Sequence, residues 1–177
     1  MDSKVTQDEP LDVSIQMDVY GKEKRSAVMA SVRSKNTAPE RIVWSGLHLL
    51  GYRFRLHSKG LPGRPDIALR KYKTVVFVHG CFWHRHTLCG QTRVPMHNTS
   101  FWQEKFAKTV ARDRENYQKL AALDWNVIVV WECAIKRKEY QWLVELSNIL
   151  QDILASGLMG KMQLSKTIDP YFHEIVL

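Results

Sequence analysis

Three cysteines and their spacing constrain this chain more than any other feature. Cys81 and Cys89 bracket the segment Cys81-Phe82-Trp83-His84-Arg85-His86-Thr87-Leu88-Cys89, and Cys133 stands just past a second apolar run. An odd number of thiols behind an acidic, non-signal-like N-terminus argues against a disulfide framework, so metal binding or plain burial must account for them. Two thiols, a histidine and a third thiol delivered by the fold make a Cys₃His tetrahedral set whose soft ligands suit zinc. We assign Cys81, His86, Cys89 and Cys133 to that set and leave His84 for another role, although the spacing also permits the two histidines to exchange. With four protein ligands, such a zinc is structural. The fold must then bring the ends of two separated strands together.

The remaining pattern supplies those strands. Thr37 opens a predicted helix with Glu40 three residues on as a capping box, Val43, Leu47 and Leu50 as its apolar stripe, and Gly51 as its stop. Short β-rich runs follow at 52–57, 65–70 and 74–79, the last two joined by Lys71-Tyr72-Lys73 as a hairpin. Residues 100–122 read as a long helix, 126–131 as a buried strand, and 138–155 as a last helix. Upstream, 22–34 reads as a short amphipathic helix with a basic face. This order predicts an α/β fold with a central mixed β-sheet flanked by helices. The expected organisation is an acidic loose leader over 1–19, one domain over 20–157, and a tail over 158–177 with no legible structure.

Charge narrows the partners. The formal net charge is +8, yet the first twenty residues hold five acidic side chains against Lys4 alone, so the remainder carries +12. Such a surface attracts polyanions through phosphate neutralisation. No apolar stretch is long enough to span a bilayer, and a cytoplasmic protein without a membrane partner is expected.

The hairpin carries the candidate chemistry. A three-residue loop closed by Arg70 and Thr74 would set Asp66 opposite Val78 and beside His79, with Asp66 and Ala68 on one face and Ile67 and Leu69 on the other. A carboxylate next to a backbone carbonyl and a histidine can hold a hard divalent cation; magnesium asks for few protein oxygens, several waters and a substrate phosphate. In the long helix, Phe106, Val110, Asp113, Tyr117 and Leu120 fall on one stripe, so Asp113 needs a buried partner, either a catalytic histidine or an arginine. Glu40 suffices as a cap and can also reach the metal centre. Phe82, Trp83 and Trp102 are candidates for a wedge between base steps, against the plainer reading of core aromatics. Lys105, Lys108, Arg112 and Lys119 form a basic helix face that can meet phosphate.

Taken in order, Ser34-Lys35-Asn36-Thr37 with Glu40, Leu61-Pro62-Gly63-Arg64-Pro65-Asp66, Val78-His79-Gly80-Cys81-Phe82-Trp83-His84, Phe101-Trp102, Arg112-Asp113-Arg114 and Val130-Trp131-Glu132-Cys133 closely resemble the very short patch repair (Vsr) mismatch endonucleases, from about residue 20 to 136. The resemblance implies a restriction-endonuclease-like fold and a strand-specific nick 5′ to the thymine of a T:G mismatch in double-stranded DNA, the product of 5-methylcytosine deamination. It implies Asp66 and the main-chain carbonyl of Val78 as magnesium ligands, His84 as the catalytic histidine with His79 beside it, and Glu40 and Asp113 as acidic residues near that centre. Cys81, His86, Cys89 and Cys133 match the zinc set; Phe82, Trp83 and Trp102 match the wedge; Met29 matches a residue of an N-terminal helix that enters the other groove. Lys105 is expected at the DNA, a monomer is the expected form, and mismatch-repair proteins and a cognate cytosine-5 DNA methyltransferase are the partners such an enzyme would have. Two departures stand out: Val78 replaces a threonine of a well-known relative, and two residues rather than one separate His86 from Cys89. The alternatives are the same nuclease architecture with another mismatch, sequence or restriction preference, and a zinc-containing DNA-binding protein without hydrolytic activity.

Overall fold

The computed structural model describes Ala27, residues 35–87, 89–137 and 140–156, and the backbone of 165–168. The chain divides into two compact units, residues 1–32 and 33–177; apart from Ala27, the expected helix at 22–34, with Met29, lies outside the described residues, as does the expected leader.

Helix α1 (Ala38–Leu49) begins where the sequence pattern puts it, because Thr37 caps it from an extended conformation and its Oγ1 accepts the Glu40 N–H at 3.4 Å. Glu40 returns the favour one residue earlier than a standard capping box: Oε2 accepts from the Asn36 N–H at 2.8 Å, while Oε1 accepts from the Thr37 hydroxyl at 2.8 Å. Gly51, at φ +80°, ends the helix in a conformation that costs other residues about 1 kcal/mol or more. Val43 and Leu47 are fully buried, but Leu50 is 51% exposed, since the helix stops at Leu49 and the chain turns away. Tyr52 takes the inward place expected of Leu50, with its hydroxyl 2.8 Å from Ser147 Oγ.

Strands β1 (Arg55–Leu56), β2 (Ile67–Leu69), β3 (Thr74–His79), β4 (Asn126–Trp131) and β5 (Ser165–Ile168) form one sheet in sequence order. The first three pair antiparallel and the last three parallel, so the sheet is mixed, as expected. The parallel β3–β4 pair requires a crossover, which helix α2 (Thr99–Ala122) provides. Helices α3 (Glu132–Arg137) and α4 (Gln141–Ala155) follow β4.

Two corrections arise in the sheet. The hairpin loop holds four residues, not three: Arg70–Tyr72 make a 3₁₀ turn, Lys73 completes the reversal at φ +46°, and Leu69 pairs with Thr74. Extending that register puts Asp66 level with Phe77 rather than Val78. The segment after residue 164, illegible in the sequence, contributes β5 alongside β4.

Alternation along the strands separates two cores. Ile67, Leu69, Val76, Ile128 and Val130 pack with α1, α3 and α4, whereas Ala68, Val75, Phe77, Val127 and Val129 pack with Tyr117 and Leu120 of α2. Burial on both faces explains why β3 and β4 read as unbroken apolar runs. Helix α4 approaches α1 closely at Gly46, where a Cβ would lie 2.9 Å from a methyl of Leu143.

Candidate active site and metal centre

The candidate residues gather at the carboxyl ends of β3 and β4, where open α/β sheets leave a crevice for ligands. Asp66, just before β2, turns its carboxylate toward β3 and accepts the Val78 N–H through Oδ2 at 2.8 Å. Within an extended strand the N–H and C=O of one residue face the same edge, so the Val78 carbonyl points to the same side as Asp66. His57 Nδ1 lies 3.9 Å from the other Asp66 oxygen, and its Nε2 lies 3.1 Å from Asn36 Oδ1 and 3.9 Å from Glu40 Oε2. Glu40, His57 and Asp66 thereby form one cluster of possible ligands.

On the α2 side of the site, His84 Nδ1 meets Asp113 Oδ2 at 2.5 Å, and the His84 ring stacks on His79 with centroids 3.6 Å apart and planes at 16°. Arg112 reaches Asp113 Oδ1 at 3.5 Å, although adjacent helix positions were expected to point apart; its long side chain curls back while Asp113 stays on the inward stripe. Val110 leaves that stripe: it is 44% exposed, and Thr109, half-buried, takes the inward place between Phe106 and Asp113.

The two histidines two residues apart diverge because Arg85 between them has φ +56°. His84 N–H bonds to the Gly80 carbonyl and His86 N–H to that of Cys81, so the loop turns tightly and sends the rings to different places. His86 Nδ1 sits 3.7 Å from Cys81 Sγ and 3.3 Å from Cys133 Sγ, and with Cys89 these atoms all lie within 4.8 Å of one another in a buried cluster. Tetrahedral bonds of ordinary zinc length would separate sulfur and nitrogen by about 3.6 Å, so the donor set fits a four-coordinate metal. Trp131 backs the cluster, its ring stacked on His86 at 4.2 Å and edge-on to His79 at 5.4 Å.

The aromatic corner is packed against itself. Phe82 meets Trp83, Trp102 and Phe106 at 5.1, 5.6 and 5.1 Å. Phe82 and Trp83 are partly exposed, but Trp102 is 8% exposed: its spacing to Phe106 puts both on the buried face of α2. In this conformation Trp102 supports the other two rings instead of projecting with them. Lys105 lies over Trp83, Phe101 and Trp102 at 5.1 to 5.7 Å, a cation held against aromatic faces.

The chain is also similar in sequence to known proteins. A family model described as DNA mismatch endonuclease Vsr matches residues 17–90. A relative from Neisseria meningitidis, named type II nicking enzyme V.NmeAIP, is 47% identical over 68% of this chain and 86% of its own length. The Escherichia coli protein named DNA mismatch endonuclease Vsr is 43% identical over 69% of this chain and 78% of its own. The chain belongs to the Vsr DNA mismatch endonuclease family. Type II nicking enzyme V.XorIIP of Xanthomonas oryzae is 48% identical over 67% of the chain and 86% of its length. As a Vsr-family member the chain is a DNA endonuclease, a hydrolase. No helix among the described residues is long and apolar enough to cross a membrane.

The electrostatics of these residues bear on which of them could hold a cation. Burial raises Asp66 to about 6, opposed by the Val78 N–H and reinforced by Glu40. A carboxylate that strains to stay charged beside a second carboxylate is a site that a divalent ion would relieve. Burial, then His84 and Arg112, push His79 well below the ordinary histidine range, so it stays neutral. Burial raises the thiols of Cys81 and Cys133, which a bound metal would reverse.

Sequence reasoning missed His57, which no motif singled out and which reaches Asp66 through φ +48° at the end of β1. It also missed Tyr117 as anything beyond a stripe position. Its hydroxyl lies 3.2 Å from His79 Nε2 and 3.4 Å from Nδ1, and burial, with Asp113 and Asp66 nearby, keeps that hydroxyl protonated. An i to i+4 relation between Asp113 and Tyr117 was the available signal.

Proposed function

We propose that this chain makes a magnesium-dependent single-strand nick 5′ to the thymine of a T:G mismatch, leaving a 5′-phosphate and a 3′-hydroxyl, within a restriction-endonuclease-like fold held by a structural zinc. The observation that carries the reading is the largely buried Asp66 carboxylate, anchored on Val78 N–H and set near the Asp113–His84 pair.

Asp66 and the Val78 carbonyl would hold the magnesium, with Glu40 close enough to contribute through water. When bound, the ion supplies polarisation of the scissile phosphate and neutralises charge at the leaving oxygen. Asp113 accepts the Nδ1 proton of His84, which leaves the lone pair on Nε2 to take a proton from the attacking water. The neutral His79 beneath it adds no competing positive charge. Cys81, His86, Cys89 and Cys133 would hold zinc and, through Trp131 against both His86 and His79, fix the loop that carries His84.

Phe82 and Trp83, backed by Trp102, are placed to enter the base stack, and a mismatched step opens at less cost than a paired one. Lys105 and the basic face of α2 would lie along the backbone phosphates. Several relatives are named type II nicking enzymes, which favours a second reading with the same chemistry but a different flanking-sequence preference.

A T:G duplex labelled on each strand in turn, incubated with and without magnesium beside matched and other mismatched duplexes, tests the proposal. A single cut 5′ to the thymine, only with magnesium, is expected. Equal cutting of matched duplex, or none on any substrate, would refute it.

A further inference from the structure

Helix α2 grips both imidazoles of the site at points one turn apart. Asp113 takes His84 through Nδ1, and four residues on, the Tyr117 hydroxyl reaches the ring nitrogens of His79 at 3.2 and 3.4 Å. Positions i and i+4 share one face of a helix, so the two grips have a fixed spacing. The rings they hold are stacked 3.6 Å apart. Tyr117 is itself wedged against Phe77, with centroids 5.4 Å apart, two residues before His79 on the same face of β3.

We propose that Tyr117 is a positioning residue whose hydroxyl holds the ring of His79 and, through the stacked pair, keeps His84 aligned with Asp113. One oxygen 3.2 and 3.4 Å from both nitrogens of a single imidazole lies over the ring face, not in its plane, so the contact fixes where the buried ring lies and selects no tautomer. Without the hydroxyl, the ring of His79 can tilt into the space it leaves. His84 would then lose the flat surface that, together with Asp113, defines its plane. Misplacement of a reacting group by about 1 Å can cost up to about 100-fold in rate.

The proposal rests on the nuclease reading for its rate effect but not for its effect on the ring, so the two can fail separately. Tyr117→Phe in the full, zinc-loaded chain removes the hydroxyl and keeps the ring against Phe77. Ring ¹³C and ¹⁵N spectra should show sharp His79 and His84 signals in the parent that shift and broaden in Tyr117→Phe. Single-turnover nicking of a T:G duplex with magnesium should slow about tenfold, with half-saturating duplex concentration and melting temperature nearly unchanged. Phe77→Leu, which loosens the ring contact but spares the hydroxyl, should leave those signals sharp. Unaltered His79 and His84 signals in Tyr117→Phe, a loss confined to duplex affinity, or equal broadening in Phe77→Leu would each overturn the proposal. If neither protein nicks DNA, the spectra still decide whether Tyr117 holds His79.

Discussion

Replacing Asp66 with asparagine should make the magnesium-free protein more stable while abolishing its chemistry. The asparagine oxygen can still accept the Val78 N–H, so the principal change is the removal of a buried charge. Asp66 rises from 3.8 to about 6 on folding. At about 1.36 kcal/mol per pH unit, that difference sets a ceiling of about 3 kcal/mol. The side chain is 22% exposed, so about 1 to 3 kcal/mol is the expected range. The protonated carboxyl favours the fold below pH 3.8, and this advantage is lost as pH rises through about 6, because folding then requires burying the anion. Asparagine does not titrate. Urea unfolding at pH 5 to 8, in magnesium-free buffer that leaves the cysteine cluster loaded, should therefore show Asp66→Asn more stable at pH 8, with the gap about halved at pH 5. Added magnesium should narrow or reverse the gap, since it can bind the parent and not the variant. A parent more stable than the variant at pH 8 without magnesium, or a gap that ignores pH, would refute the argument that Asp66 is strained for the sake of a cation.

If the cysteine cluster holds the proposed metal, Cys133→Ser should release it and lower stability by about 4 kcal/mol, the chain-entropy value for closing a loop as long as that from Cys81 to Cys133; metal content and urea unfolding check this, and an unchanged metal stoichiometry would remove Cys133 from the ligand set. Asp113→Asn should cut the single-turnover nicking rate by about 100-fold or more with duplex affinity nearly unchanged, because the His84 tautomer would no longer be enforced; a loss below threefold would exclude that role. Gly63→Ala should destabilise by about 1 to 3 kcal/mol, measured by thermal unfolding, since Gly63 has φ +72° and a Cβ would press on the Asn116 side chain at 3.1 Å.

Much of the framework of this candidate site was legible because it follows from residue patterns at short range. The capping function of Thr37 and Glu40, the apolar alternation of 74–79 and the long helix carrying Asp113 all follow from local periodicity, and the structure contains the corresponding elements. The hairpin register was read one residue out, because a four-residue loop with Lys73 in the left-handed region carries no glycine or asparagine to announce it. Leu50 was placed inside by helical spacing that the helix did not live long enough to honour. Strand β5 was invisible because its existence depends on the free edge of β4, a partner distant in sequence. His57 was overlooked for the same reason: its proximity to Asp66 is produced by β1 pairing with β2, and nothing in its immediate neighbours reports it.

The crossover between β3 and β4 also sets a timetable for synthesis. Strand β3 is apolar on both faces, and the strand that pairs with its far edge ends at Trp131, some fifty residues downstream. At ribosomal speeds of about 5 to 20 residues per second, that edge stays unmatched for about 3 to 10 s. During that interval the nascent chain is a template for unwanted pairing with other unfinished chains. Slow translation across 80–131 should thus favour aggregates, and a chaperone that shields a single sticky strand should benefit this protein during manufacture more than after it is complete.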